Sequence, residues 1–127
     1  MKYERLASGR VMAIRDIPSI NVRAGTFGGY IESESNLSQD GAAWVSGDAR
    51  VTGNARVSGD AVVSGNAVVT DFAVVTGNAV VTGNARVSGD AWVTGNAVVT
   101  GNAVVTGNAR VSGDAVVSGD AVVSKRN

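Results

Sequence analysis

The chain has 127 residues, with 11 Lys plus Arg against 11 Asp plus Glu, 17 Gly, one Pro, and neither Cys nor His. That length makes one domain with a continuous core, and the missing Cys and His exclude a disulfide framework, a thiolate metal site and the commonest general base. A net charge of zero lacks the basic excess of a nucleic-acid binder.

The first ten residues, MKYERLASGR, are charged and lack an apolar segment, so they do not read as a secretory signal. No stretch approaches the roughly 18 apolar residues of a spanning helix. A soluble, cytoplasmic protein with no membrane or nucleic-acid partner is expected. Arg10-Val11-Met12-Ala13-Ile14-Arg15 reads as a strand ended by Asp16-Ile17-Pro18. Ile31 and Leu37 stand six apart with Ser35 at a small position between them, which predicts two six-residue units. Leu37 and Val45 stand eight apart, which predicts a two-residue bulge at a corner near Asp40–Ala42.

From Ala43 to Arg126 the chain divides into fourteen units reading Ala-x-Val-[Ser/Thr]-Gly-[Asn/Asp]. Ala holds the first position and Val the third in every unit, and Gly fails at the fifth only at Asp71 and Lys125. The second position carries eight Val, four Arg and two Trp. Six residues with two turn formers predict a short strand and a corner, with Ala and Val facing inward and the second and fourth positions outward. Gly at this frequency and β-branched Val oppose a helix. A lone strand of this length buries nothing, so successive coils must stack Val on Val. Gly-Asn and Gly-Asp suit the corners, and stacked Asn side chains bond along the column.

This pattern resembles the hexapeptide repeat of left-handed parallel β-helices, and the resemblance implies an all-β, single-stranded parallel β-helix with three hexapeptides per triangular coil. The hand rests on the resemblance; crossover rules alone favour the opposite one, which leaves a right-handed, bactofilin-like helix as an alternative. Gly28-Gly29-Tyr30-Ile31-Glu32-Ser33-Glu34, Asn36-Leu37-Ser38-Gln39 and Trp44-Val45 resemble hexapeptide-repeat proteins of phages and prophages, implying a phage-encoded protein in a bacterial host. Solenoid ends need caps, so residues 1–30 are read as an N-terminal cap and 31–127 as one continuous β-helix. At the other end, Lys125-Arg126-Asn127 supply charges that discourage end-to-end stacking.

A period of eighteen sorts the outward residues. The first face carries Trp44, Val62, Val80, Val98 and Val116, the second Arg50, Val68, Arg86, Val104 and Val122, and the third Arg56, Val74, Trp92 and Arg110. No two Arg are neighbours in a column, as coils about 4.8 Å apart require. The uncharged first column is read as a self-association face for a homodimer or homotrimer. Phe72, in the one corner inside the array that departs from Gly-Asn/Asp, and Trp92 are candidate partner anchors, with packing against a neighbour as the plainer reading.

The resemblance also brings acyltransferases that use a His base and carbonic anhydrases with three zinc-binding His, and neither chemistry carries over to a chain without His. Asp48, Asp60, Asp90, Asp114 and Asp120 recur in Gly-Asp corners and read as turn formers; no calcium repeat or phosphate loop is present. No catalytic, cofactor-binding or metal-binding residue is assigned, and no cofactor is expected. The reading is a non-enzymatic structural or binding module, a rigid self-associating rod. Its alternatives are a phage accessory that captures a host protein or small molecule, an ice-binding helix with Val/Thr columns such as Val80/Thr82 and Val98/Thr100, a His-independent transferase, and a consensus-designed repeat.

Overall fold

The computed structural model describes residues 2–124. Three longer strands, β1 (Tyr3–Arg5), β2 (Arg10–Ala13) and β3 (Phe27–Ile31), precede fourteen two-residue strands, β4 (Trp44–Val45) through β17 (Val122–Val123), one every six residues. Two single turns of 3-10 helix, Pro18–Ile20 and Glu34–Asn36, are the helical segments among the described residues. None of these is long and apolar enough to cross a membrane.

The fourteen short strands wind into a parallel β-solenoid of about five turns. Each pairs in parallel with the strand eighteen residues away: Val62 with Val80, Val80 with Val98, Arg86 with Val104, Val74 with Trp92. Three sheets result, of five, five and four short strands, one of the five-stranded sets being extended to eight by β1, β2 and β3, and the outward columns are the three read from the sequence. Inward Ala and Val are fully buried from Ala43 through Val105 except for a trace at Val57. Each such Val contributes about 1.5 kcal/mol or more by leaving water.

Backbone pairing does not stop at the strand ends. Val80, Thr82 and Asn84 donate to the carbonyls of Ala97, Val99 and Gly101 at 3.0, 2.9 and 2.8 Å, so one ladder crosses both strand and corner. Outside the backbone a second layer of bonds runs parallel to the axis. Thr52 donates to Thr70, Ser58 to Thr76, Ser64 to Thr82 and Ser88 to Thr106 at 3.0–3.1 Å. The corner Asn66, Asn84 and Asn102 pass an amide bond upward to Asp120.

Each corner needs a residue with positive φ, and Gly77 shows why this is Gly. Its φ is +71, and an added Cβ would stand 2.9 Å from both the nitrogen and oxygen of Gly95 in the next coil. Gly77→Ala is expected to cost about 2–3 kcal/mol, from the left-handed backbone plus the collision, read as a lowered urea midpoint. Asp71 adopts the same conformation at φ +61, and its carboxylate accepts the Gly89 N–H at 3.0 Å.

The first strands close the lower end. β1 runs antiparallel to β2, and β2 antiparallel to β3 with a register shift. β3 then lies parallel to Arg50–Val51, placing Ile31 beneath Val51. Leu37 bridges to Val57, so Ile31 and Leu37 form the earlier level predicted from their spacing. Ser35 departs from that prediction: it is exposed in the Glu34–Asn36 turn rather than inward. Asn36 is buried instead. It accepts from the Glu32 and Ser33 N–H groups at 2.9 and 2.8 Å and donates to the Ala55 and Gly53 carbonyls at 2.8 and 3.2 Å. Lys125, Arg126 and Asn127, and the stacking role read for them, lie outside the described residues.

Candidate functional site

The solenoid presents three outward faces and a cap, and each has its own chemistry. On the first face Val62, Val80 and Val98 are half-buried and Val116 is exposed, aligned residue for residue. The neighbouring fourth positions are Ser64, Thr82, Thr100 and Ser118, so this face has no charge on its strands. Trp44 heads the column in register with Val62 but leaves the exposed surface. It is only 1 % exposed, because the cap strand passes beneath it and Gly28 comes against its ring. The exposed ridge therefore comprises four valines, not Trp44 and four valines.

The second face begins with a stacked set. The Tyr30 ring has the Arg10 guanidinium 4.6 Å from its centroid on one side and that of Arg50 4.7 Å away on the other. Arg10 also donates to the Tyr30 hydroxyl at 2.8 Å and lies 3.7 Å from Asp48. Above them Arg86 is exposed between half-buried Val68 and Val104.

The third face brings the two candidate anchors close together. Phe72 is 61 % exposed at the corner that leads into Val74, and Val74 pairs with Trp92, which is 42 % exposed. Arg110, one coil higher, holds its guanidinium 5.0 Å from the Trp92 centroid. Below Val74 the face sinks into a depression of about 360 Å³ lined in part by Glu34, Leu37, Gln39, Arg56, Ser58 and Val74. The first-face ridge and the two aromatics thus occupy different faces.

Sequence reasoning missed Lys2. Its residue is 1 % exposed, and its ammonium donates to the carbonyls of Ala43, Gly41 and Asp40 at 2.6, 3.3 and 3.4 Å. The predicted bulge is the loop that wraps this ammonium, so the two extra residues were its signal. Burial, with Arg15 nearby, pushes the Lys2 ammonium down to about 8 against the pull of Asp40 and Asp60. Beside it the buried Tyr3 hydroxyl donates to the Leu37 carbonyl at 2.5 Å and to that of Glu34 at 3.1 Å. Burial, reinforced by Glu34, pushes the phenol up to about 12. Among the described residues no three acidic side chains gather into a group able to hold a metal ion.

Stacked parallel coils on an eighteen-residue period, with Val and Ala inside and turn residues outside, define a β-solenoid repeat protein. The family model described as the YdcK β-solenoid repeat matches residues 43–59, 55–71, 85–101 and 109–125. No curated protein matches the chain.

Proposed function

We propose that the chain is a non-enzymatic structural and binding module, a rigid rod that associates with further copies of itself as a homodimer or homotrimer through its first face. The observation that supports this most is the aligned ridge of Val62, Val80, Val98 and Val116, flanked by hydroxyls, on the face without Arg. Charge on sheet surfaces discourages association, and here it is confined to the other two faces. The likeness of residues 28–45 to phage and prophage proteins supports such an origin.

Four coils spaced about 4.8 Å apart, each presenting about four residues and so about 13 Å of width, give this ridge on the order of 250 Å². A stable pair buries about 800 Å² per partner, so the assembly is reversible and its mass rises with concentration. Light scattering tests this. Val80→Lys with Val98→Lys is expected to lower the mass at a given concentration, and an unchanged mass would discard the first face as the contact.

A further inference from the structure

We propose that the third face is a second self-association surface, on which two copies pair antiparallel about a two-fold axis through Val74. The face reads upward as the Leu37 level with Glu34 at its edge, then Arg56, Val74, Trp92 and Arg110, each one coil above the last. Arg56 and Trp92 are equidistant from Val74, and so are the Glu34 level and Arg110. A two-fold axis through Val74 therefore sets Arg56 of each copy against Trp92 of the other. It also sets Arg110 of each copy against the end of the face that carries Glu34, and Val74 against its own equivalent.

Every pair in that register is of complementary kind: guanidinium on indole, guanidinium beside carboxylate, valine on valine. The molecule already contains the arrangement that Trp92 lacks. Tyr30 lies between two guanidinium groups, from Arg10 and Arg50. Among the described residues Trp92 has Arg110 alone, and it keeps 42 % of its surface exposed; Arg56 of the second copy supplies the second guanidinium. The depression below Val74, about 360 Å³, lies on the same face as the protruding Trp92, so knob and hollow exchange across the axis. A contact of this type is isologous. Because it uses a different face from the valine ridge, it stands whether or not that ridge associates, and the two together line rods up in an open row.

The test uses the full chain carrying Val80→Lys and Val98→Lys, so that the first face is silent. This parent is expected to remain a concentration-dependent dimer by sedimentation equilibrium. Adding Arg110→Glu is expected to weaken the dimer at least tenfold, and adding Glu34→Arg as well is expected to recover most of that loss. A parent that is monomeric at every concentration means that something other than a second copy covers this face, and it overturns the proposal; so does an Arg110→Glu variant that dimerises unchanged, or a charge exchange that recovers nothing. The chain has no native Cys, so a single Val74→Cys gives an independent reading. A short bis-maleimide is expected to link two copies through position 74, while Val68→Cys on the second face remains monomeric, and equal yields at both positions would count against the axis.

Discussion

Gly28→Val is expected to lower stability by about 3 kcal/mol or more, in the overpacking range that marks a filled interior. The backbone of Gly28 is extended, so the need for Gly is one of space and not of φ. A Cβ there would collide with the Val45 carbonyl oxygen and stand 2.6 Å from Val11 Cγ2 and 2.8 Å from Trp44 Cζ2. Val11 and Trp44 are themselves buried, and the carbonyl belongs to the lowest coil, so none of the three yields without moving the cap away from the solenoid. Urea unfolding followed by Trp44 fluorescence in a Trp92→Phe background measures the loss. A change below about 1 kcal/mol, the size of an ordinary surface effect, would show that the cap strand does not press on Trp44 as described.

The second large effect is one of pH. Lys2 has its folded pKa lowered from 10.5 to about 8, so between those values the unfolded chain binds more protons and stability rises with pH. At no more than about 1.4 kcal/mol per unit, and less where solvent screens the ammonium, the gain across the window is on the order of 1–3 kcal/mol. Tyr3 acts in the opposite sense. Its pKa rises from 10.0 to about 12, so the folded chain keeps a proton that the unfolded chain releases, and stability falls as pH climbs between them. The sum is a maximum near pH 10, with Arg15, Asp40, Asp60 and Glu34 as the charged neighbours of the pair. Urea titrations at pH 7, 8.5, 10 and 11.5 are expected to trace this dome, and Lys2→Met is expected to flatten its lower limb. Stability that declines steadily from pH 7 to 10 would contradict the burial of a charged Lys2.

The array was legible because a single rule repeats: a rhythm of six with Ala and Val inward leaves one way to bury the valines, and it fixes the three outward columns. The cap was not, because its contacts are each used once. Lys2 lies near one end of the sequence, where a charged side chain ordinarily reads as solvated, yet it closes on carbonyls about forty positions away. Asn36, between Ser35 and Leu37, falls at an outward second position by spacing, and only the three-dimensional path shows its amide buried and bridging to Ala55. Trp44 shares its column with exposed valines, so periodicity places it outside; the cap strand running beneath makes it interior. Phe72 and Trp92 were visible as departures from the rule, but the foot of their face was not, because it is formed by the irregular turn that carries Glu34.

A uniform interior has a consequence for how the chain finds its place. Ala sits over Ala and Val over Val at every storey, so a strand that docks one storey too high or too low meets the same core it would have met correctly. The buried residues therefore cannot number the storeys. That datum comes from the aperiodic bottom, where Ile31 meets Val51, Leu37 meets Val57 and the Lys2 ammonium grips Ala43. Assembly that zips upward from this origin counts correctly, whereas assembly begun midway has no landmark until it reaches Asp71-Phe72.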